Sequence, residues 1–418
     1  MRFRIAASAV GLVLGAACGG TERAPSGGAG GAGGTITGAG GGGDTTSSAV
    51  TTTSSSGGPT TTSSGGTGGM APSCPPKPPL DGVPVSAPDG QWTWIDVAGA
   101  KCRDGSPTGF GIRKRAGSKR LYIYLEGGGA CFNGDTCTIS LAAFGKGAFD
   151  AWASSVGNTG VFNAGNADNP VKDWNAVYVP YCTADIHGGD APDTNVPLEP
   201  AFQHQDFVGY ENVGLYLRRL VPTFPDLEQV LLTGISAGGF GAAYNYDRVA
   251  TAFCPTQVAL IDDSGPPMSD TYLAPCLQKK WKTLWDLDKT LPAGCPACIG
   301  PDGGGIVNYV PYLQQRWPDA PMGLISATHD SVISAFFGYG SQGCTASTPL
   351  SAATYEAGLA DLRDNYLAAS PRWGTYYIDS SSHTWLLGPG FYTTTVKGKR
   401  LVDWFGDVLH GAPSHIAP

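Results

Sequence analysis

The residues best suited to chemistry lie in the run Gly234-Ile235-Ser236-Ala237-Gly238, a GxSxG pattern preceded by the apolar stretch 230–232 and followed by small residues that can open a helix. That context reads as a nucleophile elbow, a strained strand-to-helix turn that lifts Ser236 above a sheet. A serine alcohol is a weak nucleophile at neutral pH and needs a base, with a carboxylate to orient the base. The helix start also directs the backbone N–H of Ala237 at any oxyanion formed on a substrate carbonyl. A second donor is expected from Glu126-Gly127-Gly128-Gly129-Ala130, where Gly127 and Gly128 can bring N–H groups against a ligand oxygen. A phosphate loop would need a lysine and a serine or threonine that this stretch lacks.

In an α/β-hydrolase-like chain the acid and then the histidine follow the serine. Asp330 follows the apolar run 322–326, and His383 follows the run 374–378 on a polar loop, so both fall at strand carboxyl ends in the expected order. These are the expected catalytic acid and base. Asp262 and Asp263 are rivals for the acid, with hydrogen bonding of the turn 264–267 as their alternative role. His329 is expected to point away from Asp330, and His410 and His415 fall in a terminal helix and a fraying tail. His204 precedes the serine, the wrong order, and His187 reads as a solvated loop residue rather than a metal ligand, with lining of the substrate cleft as a further alternative.

Positioning those side chains requires a sheet. Apolar runs at 121–125, 176–180, 230–232, 258–261, 322–326 and 374–378 alternate with helical patterns, notably at 209–220, 351–369 and 396–409. Strands separated by helices, without polar alternation, predict an α/β fold with a mainly parallel central sheet and helices on both faces.

The N-terminus reads differently. Residues 1–17 have a charged start, a short apolar stretch and a small-residue site before Cys18, the pattern of a lipoprotein-type signal peptide. Ordinary signal cleavage that leaves Cys18 a spectator is the alternative. Residues 18–73 are then an anchor cysteine and a Gly/Ser/Thr-rich flexible tether, and 74–418 the catalytic domain. Eleven cysteines less Cys18 leave an even set, which in an exported chain predicts a disulfide-stapled domain, with the CxxC of Cys295 and Cys298 structural rather than redox or zinc-binding. A net charge of −8 with no long basic stripe argues against nucleic acid.

Several segments resemble the pectin acetylesterase and Notum carboxylesterase family. The stretch from Tyr124 to Asn133 is similar to its LEGGGWC loop, Gly234 to Gly239 to its GxSAGG elbow, and Asp263-Ser264-Gly265 to its DSG turn. Ser326 to Asp330, Ser382-His383 and the tail from Thr395 to Trp404 resemble its acid loop, base loop and closing segment. The resemblance implies an α/β-hydrolase-like serine esterase with Ser236, His383 and Asp330 as triad and Gly128 with Ala237 as oxyanion donors. It also implies disulfides Cys102–Cys182 and Cys131–Cys137. Ala130 departs from the aromatic residue that the family carries after the glycines, which bears on substrate choice.

The expected function is a surface-anchored serine carboxylesterase, needing no metal or cofactor, acting on acyl esters, with acetyl groups on polysaccharide such as pectin first. A lipid or aryl ester deacylase, or a binding protein without turnover, are the alternatives. The chain is expected to be an exported monomer that touches a membrane only through a lipidated Cys18, as an outer-membrane or cell-surface lipoprotein, or otherwise extracellular or periplasmic.

Overall fold

Side-chain parity along the apolar runs builds two cores. Leu121, Ile123 and Leu125 enter one buried cluster while Tyr122 and Tyr124 enter another, because successive side chains of a strand leave opposite faces. The computed structural model describes residues 74–418; the expected signal, Cys18 and the tether to residue 73 lie outside the described residues. Nine strands form the main sheet: β1 (Trp92–Lys101), β2 (Pro107–Arg113), β3 (Arg120–Leu125), β4 (Asn175–Val179), β5 (Gln229–Ile235), β6 (Gln257–Asp263), β7 (Met322–Ala327), β8 (Trp373–Ile378) and β9 (His415–Ile416). Their spatial order is β1-β2-β4-β3-β5-β6-β7-β8-β9. The pairs β1–β2 and β2–β4 are antiparallel and all others parallel.

Among the helices that flank this sheet or border the site are α1 (Gly209–Thr223), α2 (Ala237–Phe253), α3 (Pro275–Trp285), α4 (Ser331–Phe337), α5 (Ala352–Leu362) and α6 (Leu401–Leu409). α1 to α5 pack on the face carrying Leu121 and Ile123; α6 covers the other with Leu401, Trp404, Phe405 and Val408. In α1 the stripe Val213, Tyr216, Leu217, Leu220 has the spacing of one buried helical face.

Three local expectations are corrected. Residues 395–400 form a hairpin before α6, because Lys397 and Gly398 take positive φ (47° and 80°) and turn the chain. The 351–369 helix is α5 followed by a π-helical turn, Arg363–Leu367. The tail does not fray at His415, which pairs with Thr375 as the edge strand β9.

Five disulfides staple the domain: Cys74–Cys254, Cys102–Cys182, Cys131–Cys137, Cys276–Cys344 and Cys295–Cys298. Among the described residues no helix is long and apolar enough to cross a membrane.

Candidate active site

Ser236 sits between β5 and α2 with φ 55° and ψ −124°, a conformation that costs a non-glycine residue about 1–3 kcal/mol unless its surroundings impose it. The surroundings do. Its N–H donates to the carbonyl of Asp263 on the neighbouring strand (2.7 Å), and its own carbonyl accepts from Phe240 (3.0 Å). A Cβ on Gly238 would run into the carbonyl oxygen of Leu125, so only glycine lets the elbow close against β3. The Ser236 hydroxyl makes no hydrogen bond with the described residues.

The glycine loop leaves β3 directly beside the elbow, since Leu125 pairs with Gly234. Glu126 holds it in place: its N–H donates to Val179 (3.0 Å), and its carbonyl meets His187 Nε2 (2.9 Å). The N–H of Gly127 donates to Oε1 of Glu126 (3.2 Å) and is therefore occupied, which corrects its expected role as an oxyanion donor. Desolvation pushes this carboxyl up to about 7. On the far side, Tyr181 donates its hydroxyl to the carbonyl of Gly129 (3.0 Å), and Cys131 N–H donates to Ala184 (2.8 Å). Between these pins the N–H groups of Gly128, Gly129 and Ala130 have no acceptor among the described residues, like that of Ala237 in the first turn of α2.

The structure brings Asp330 and His383 together. Asp330 is fully buried and caps α4, with Oδ1 accepting from the N–H groups of Val332 and Ile333 (2.9 Å each). Oδ2 accepts from His383 Nδ1 at 2.7 Å. The helix terminus and the imidazole thus satisfy both oxygens of a buried carboxyl group. With Nδ1–H committed to the carboxylate, the network assigns the lone pair to Nε2, which is buried and has no partner. The acid and base loops are laced by His329 N–H to Ser380 (3.1 Å) and Ser331 Oγ to Ser381 (3.1 Å).

Asp263 has a role that no sequence signal marked. Strand parity sends it to the face opposite Asp262, where Oδ2 accepts from the N–H groups of Trp385 (2.6 Å) and Leu386 (2.9 Å), two residues beyond His383. Its carbonyl meanwhile holds Ser236. One residue therefore ties the elbow to the base loop, and burial pushes its carboxyl up to about 6. Asp262 instead accepts from Gly265 N–H (2.8 Å).

The other histidines stand apart. His329 faces Glu356 (3.5 Å), His204 pairs with exposed Asp193 (2.7 Å), and His415 meets Thr375 (3.1 Å). His187 is a correction: it is no solvated loop residue but is buried under the glycine loop, and desolvation pulls it down to about 4, keeping it neutral. Among the described residues no group of three or more His, Cys, Asp or Glu is placed to hold a metal ion.

A narrow apolar slot, with about 40 Å³ open to the centre of a water-sized atom, adjoins Ser236 and Ala237. Its walls include Ala130, Phe240 and Phe336, together with Trp281 and Trp285 of α3, which stack at 5.9 Å. The two tryptophans lie one turn apart on a single face of α3. Trp285 is fixed by donating its indole N–H to the carbonyl of Cys131 (2.9 Å).

The family model described as pectinacetylesterase matches residues 89–331. The chain belongs to the pectinacetylesterase family. Two similar proteins are the palmitoleoyl-protein carboxylesterases notum2 of Xenopus laevis, 34% identical over 173 residues (39% of this chain, 34% of that protein), and NOTUM of Mus musculus, 31% identical over 173 residues (39% and 33%). A third, the inactive palmitoleoyl-protein carboxylesterase notum1b of Danio rerio, is 35% identical over 97 residues, 22% of this chain and 69% of that protein. The match spans about a third of the length of the first two. The solved structure of the Wnt deacylase Notum from Drosophila aligns with TM-score 0.56 at 18% identity over 77% of this chain and 94% of that one, a likeness of α/β-hydrolase-like fold.

Proposed function

We propose that this pectinacetylesterase-family chain is a serine carboxylesterase with Ser236 as nucleophile, His383 as general base and Asp330 as its orienting acid. His383 Nε2 takes the Ser236 proton as Oγ attacks the ester carbonyl, and N–H groups of Gly128 and Ala237 receive the oxyanion. The tetrahedral species expels the alcohol, which takes the proton from His383, leaving an acyl-serine. Water, deprotonated by the same nitrogen, then releases the carboxylic acid and restores the serine. The observation that carries this reading is the buried Asp330–His383 pair at 2.7 Å, whose outer nitrogen has no partner, on the same sheet end as a serine held at φ 55°.

The slot beside Ser236 is apolar and slender, which suits an aliphatic acyl chain longer than acetyl and leaves the alcohol half outside. Acetyl ester of a polysaccharide is the second reading, favoured by the description of the family. Hydrolysis of p-nitrophenyl esters from acetate to decanoate, with and without Ser236→Ala, tests both. Loss of a triad serine lowers the rate by about 10⁶-fold, so mutant turnover equal to wild type overturns the mechanism. Inactivity of the wild type across the series supports a binding protein, and an optimum at acetate supports the second reading.

We place the enzyme outside the cytosol, its catalytic domain 74–418 held to a membrane through Cys18 and the tether, as a monomer. If Cys18→Ser leaves membrane association unchanged in fractionated cells, the anchor is wrong.

A further inference from the structure

Behind the slot lies a second cavity, with about 30 Å³ open to the centre of a water-sized atom. The two share Ile186, Phe240 and Ile306 in their walls, so the partition between them is made of side chains. Phe240 is only partly buried, on the first turn of α2, and a change of its rotamer is the smallest movement that would join the two spaces.

The far cavity is apolar except at one side. Asp262 lines it and is 2% exposed, and strand parity turns it to this face together with Leu260. Its Oδ1 accepts from Gly265, whereas no described residue hydrogen-bonds Oδ2. Burial, and then the nearby charge of Asp263, raises its proton affinity above the ordinary carboxyl range. Trp373 lines the same cavity, and its buried indole N–H has no partner. Unpartnered polar atoms are costly in an apolar wall, and the free carboxyl oxygen of Asp262 with the indole N–H of Trp373 gives this cavity a partner for each side of a hydroxyl.

Resting on the esterase reading above, we infer that the acyl slot continues past Phe240 and that Asp262 and Trp373 bind an oxygen substituent, hydroxyl or keto, on the distal part of the acyl chain. The substrates are then esters of hydroxy- or oxo-fatty acids rather than of plain ones.

The test compares p-nitrophenyl hexanoate, octanoate and decanoate, each with and without a hydroxyl on its last carbon. At one length or more the hydroxyl is expected to raise kcat/KM about tenfold, the usual scale of one well-made buried hydrogen bond. Trp373→Phe and Asp262→Leu should remove that preference while leaving acetate-ester turnover within twofold. Asp262→Asn, which keeps a polar group and the Gly265 bond, should retain it, so a fold lost in Asp262→Leu does not decide the matter. Phe240→Ala should shift the optimum to longer chains. The inference is overturned if the hydroxyl brings no gain at any length, or if Trp373→Phe leaves the gain intact and Phe240→Ala leaves the optimum unshifted. Those outcomes still show turnover dependent on Ser236, whereas failure of the esterase reading shows none.

Discussion

At the scale of single residues, the site depends on how two buried carboxylates are used differently. Asp330 accepts from two helix N–H groups and an imidazole N–H, which together fix its orientation. Asp330→Asn keeps the shape but presents an amide N–H or a neutral oxygen to Nδ1, which disturbs the tautomer of His383; kcat is expected to fall about 10⁴-fold with KM little changed, measured on any ester the wild type accepts. Asp263 is instead held by N–H groups in a setting whose desolvation dominates, so its carboxyl titrates near 6 in the fold against 3.8 in the open chain. A raised carboxyl means that the native state binds the proton more tightly. The stability this contributes is fully present below about 3.8 and is lost as the pH rises through about 6. Comparing urea unfolding of the wild type and Asp263→Asn, the wild type is expected to lose up to about 3 kcal/mol more than the variant between pH 4 and pH 7. Parallel curves for the two proteins would contradict the assignment.

At the scale of elements, the proposed catalysis rests on loops pressed against one another at the carboxyl ends of β3, β5, β6, β7 and β8. Gly127 marks a tight contact between two of them: a Cβ there would lie 2.5 Å from the carbonyl oxygen of Ile235 and 2.9 Å from Cβ of Ser236. Since neither neighbour is a flexible side-chain end, Gly127→Ala must displace the elbow or the glycine loop. A loss of 10²-fold or more in kcat, on the order of removing one oxyanion donor, is expected in steady-state assays, with a lowered Tm. Full activity in this variant would mean the loop has slack that the contacts do not show. The glycine motif and the GxSxG turn were both legible because such close approaches demand small residues in sequence. The occupied N–H of Gly127 was not legible, because it depends on where the preceding glutamate side chain folds back.

At the scale of the whole molecule, the sheet is held at both ends by covalent links. Cys74–Cys254 closes the longest loop, with a sequence separation of 180, and joins the first described residues to the end of α2. In the chain-entropy account such a loop restricts the unfolded state by about 5 kcal/mol, an amount that native strain or residual structure reduces. The double change Cys74→Ser and Cys254→Ser should therefore lower Tm clearly in calorimetry while leaving kcat within about twofold, since neither cysteine touches the site. The fall should exceed that from removing Cys131–Cys137, whose separation is 6.

Fold class and the alternation of elements were legible in the chain itself. The elbow, the glycine loop, the strand-helix alternation and the parity of the cysteines follow from local rules, in which each residue's type limits its own backbone and its immediate neighbours. Antiparallel β1 and β2 escaped that reading because glycines and charged residues interrupt their apolar pattern, and pairing partners supply the stability that local propensity lacks. Folding alone decided that Asp263 braces the base loop while Asp262 faces a cavity, that His187 is buried, and that α3 furnishes two tryptophans to the slot that Ala130 also lines. Each of those outcomes depends on which side of a strand faces which helix and on contacts between residues far apart in sequence, and such contacts leave no periodic trace along the chain.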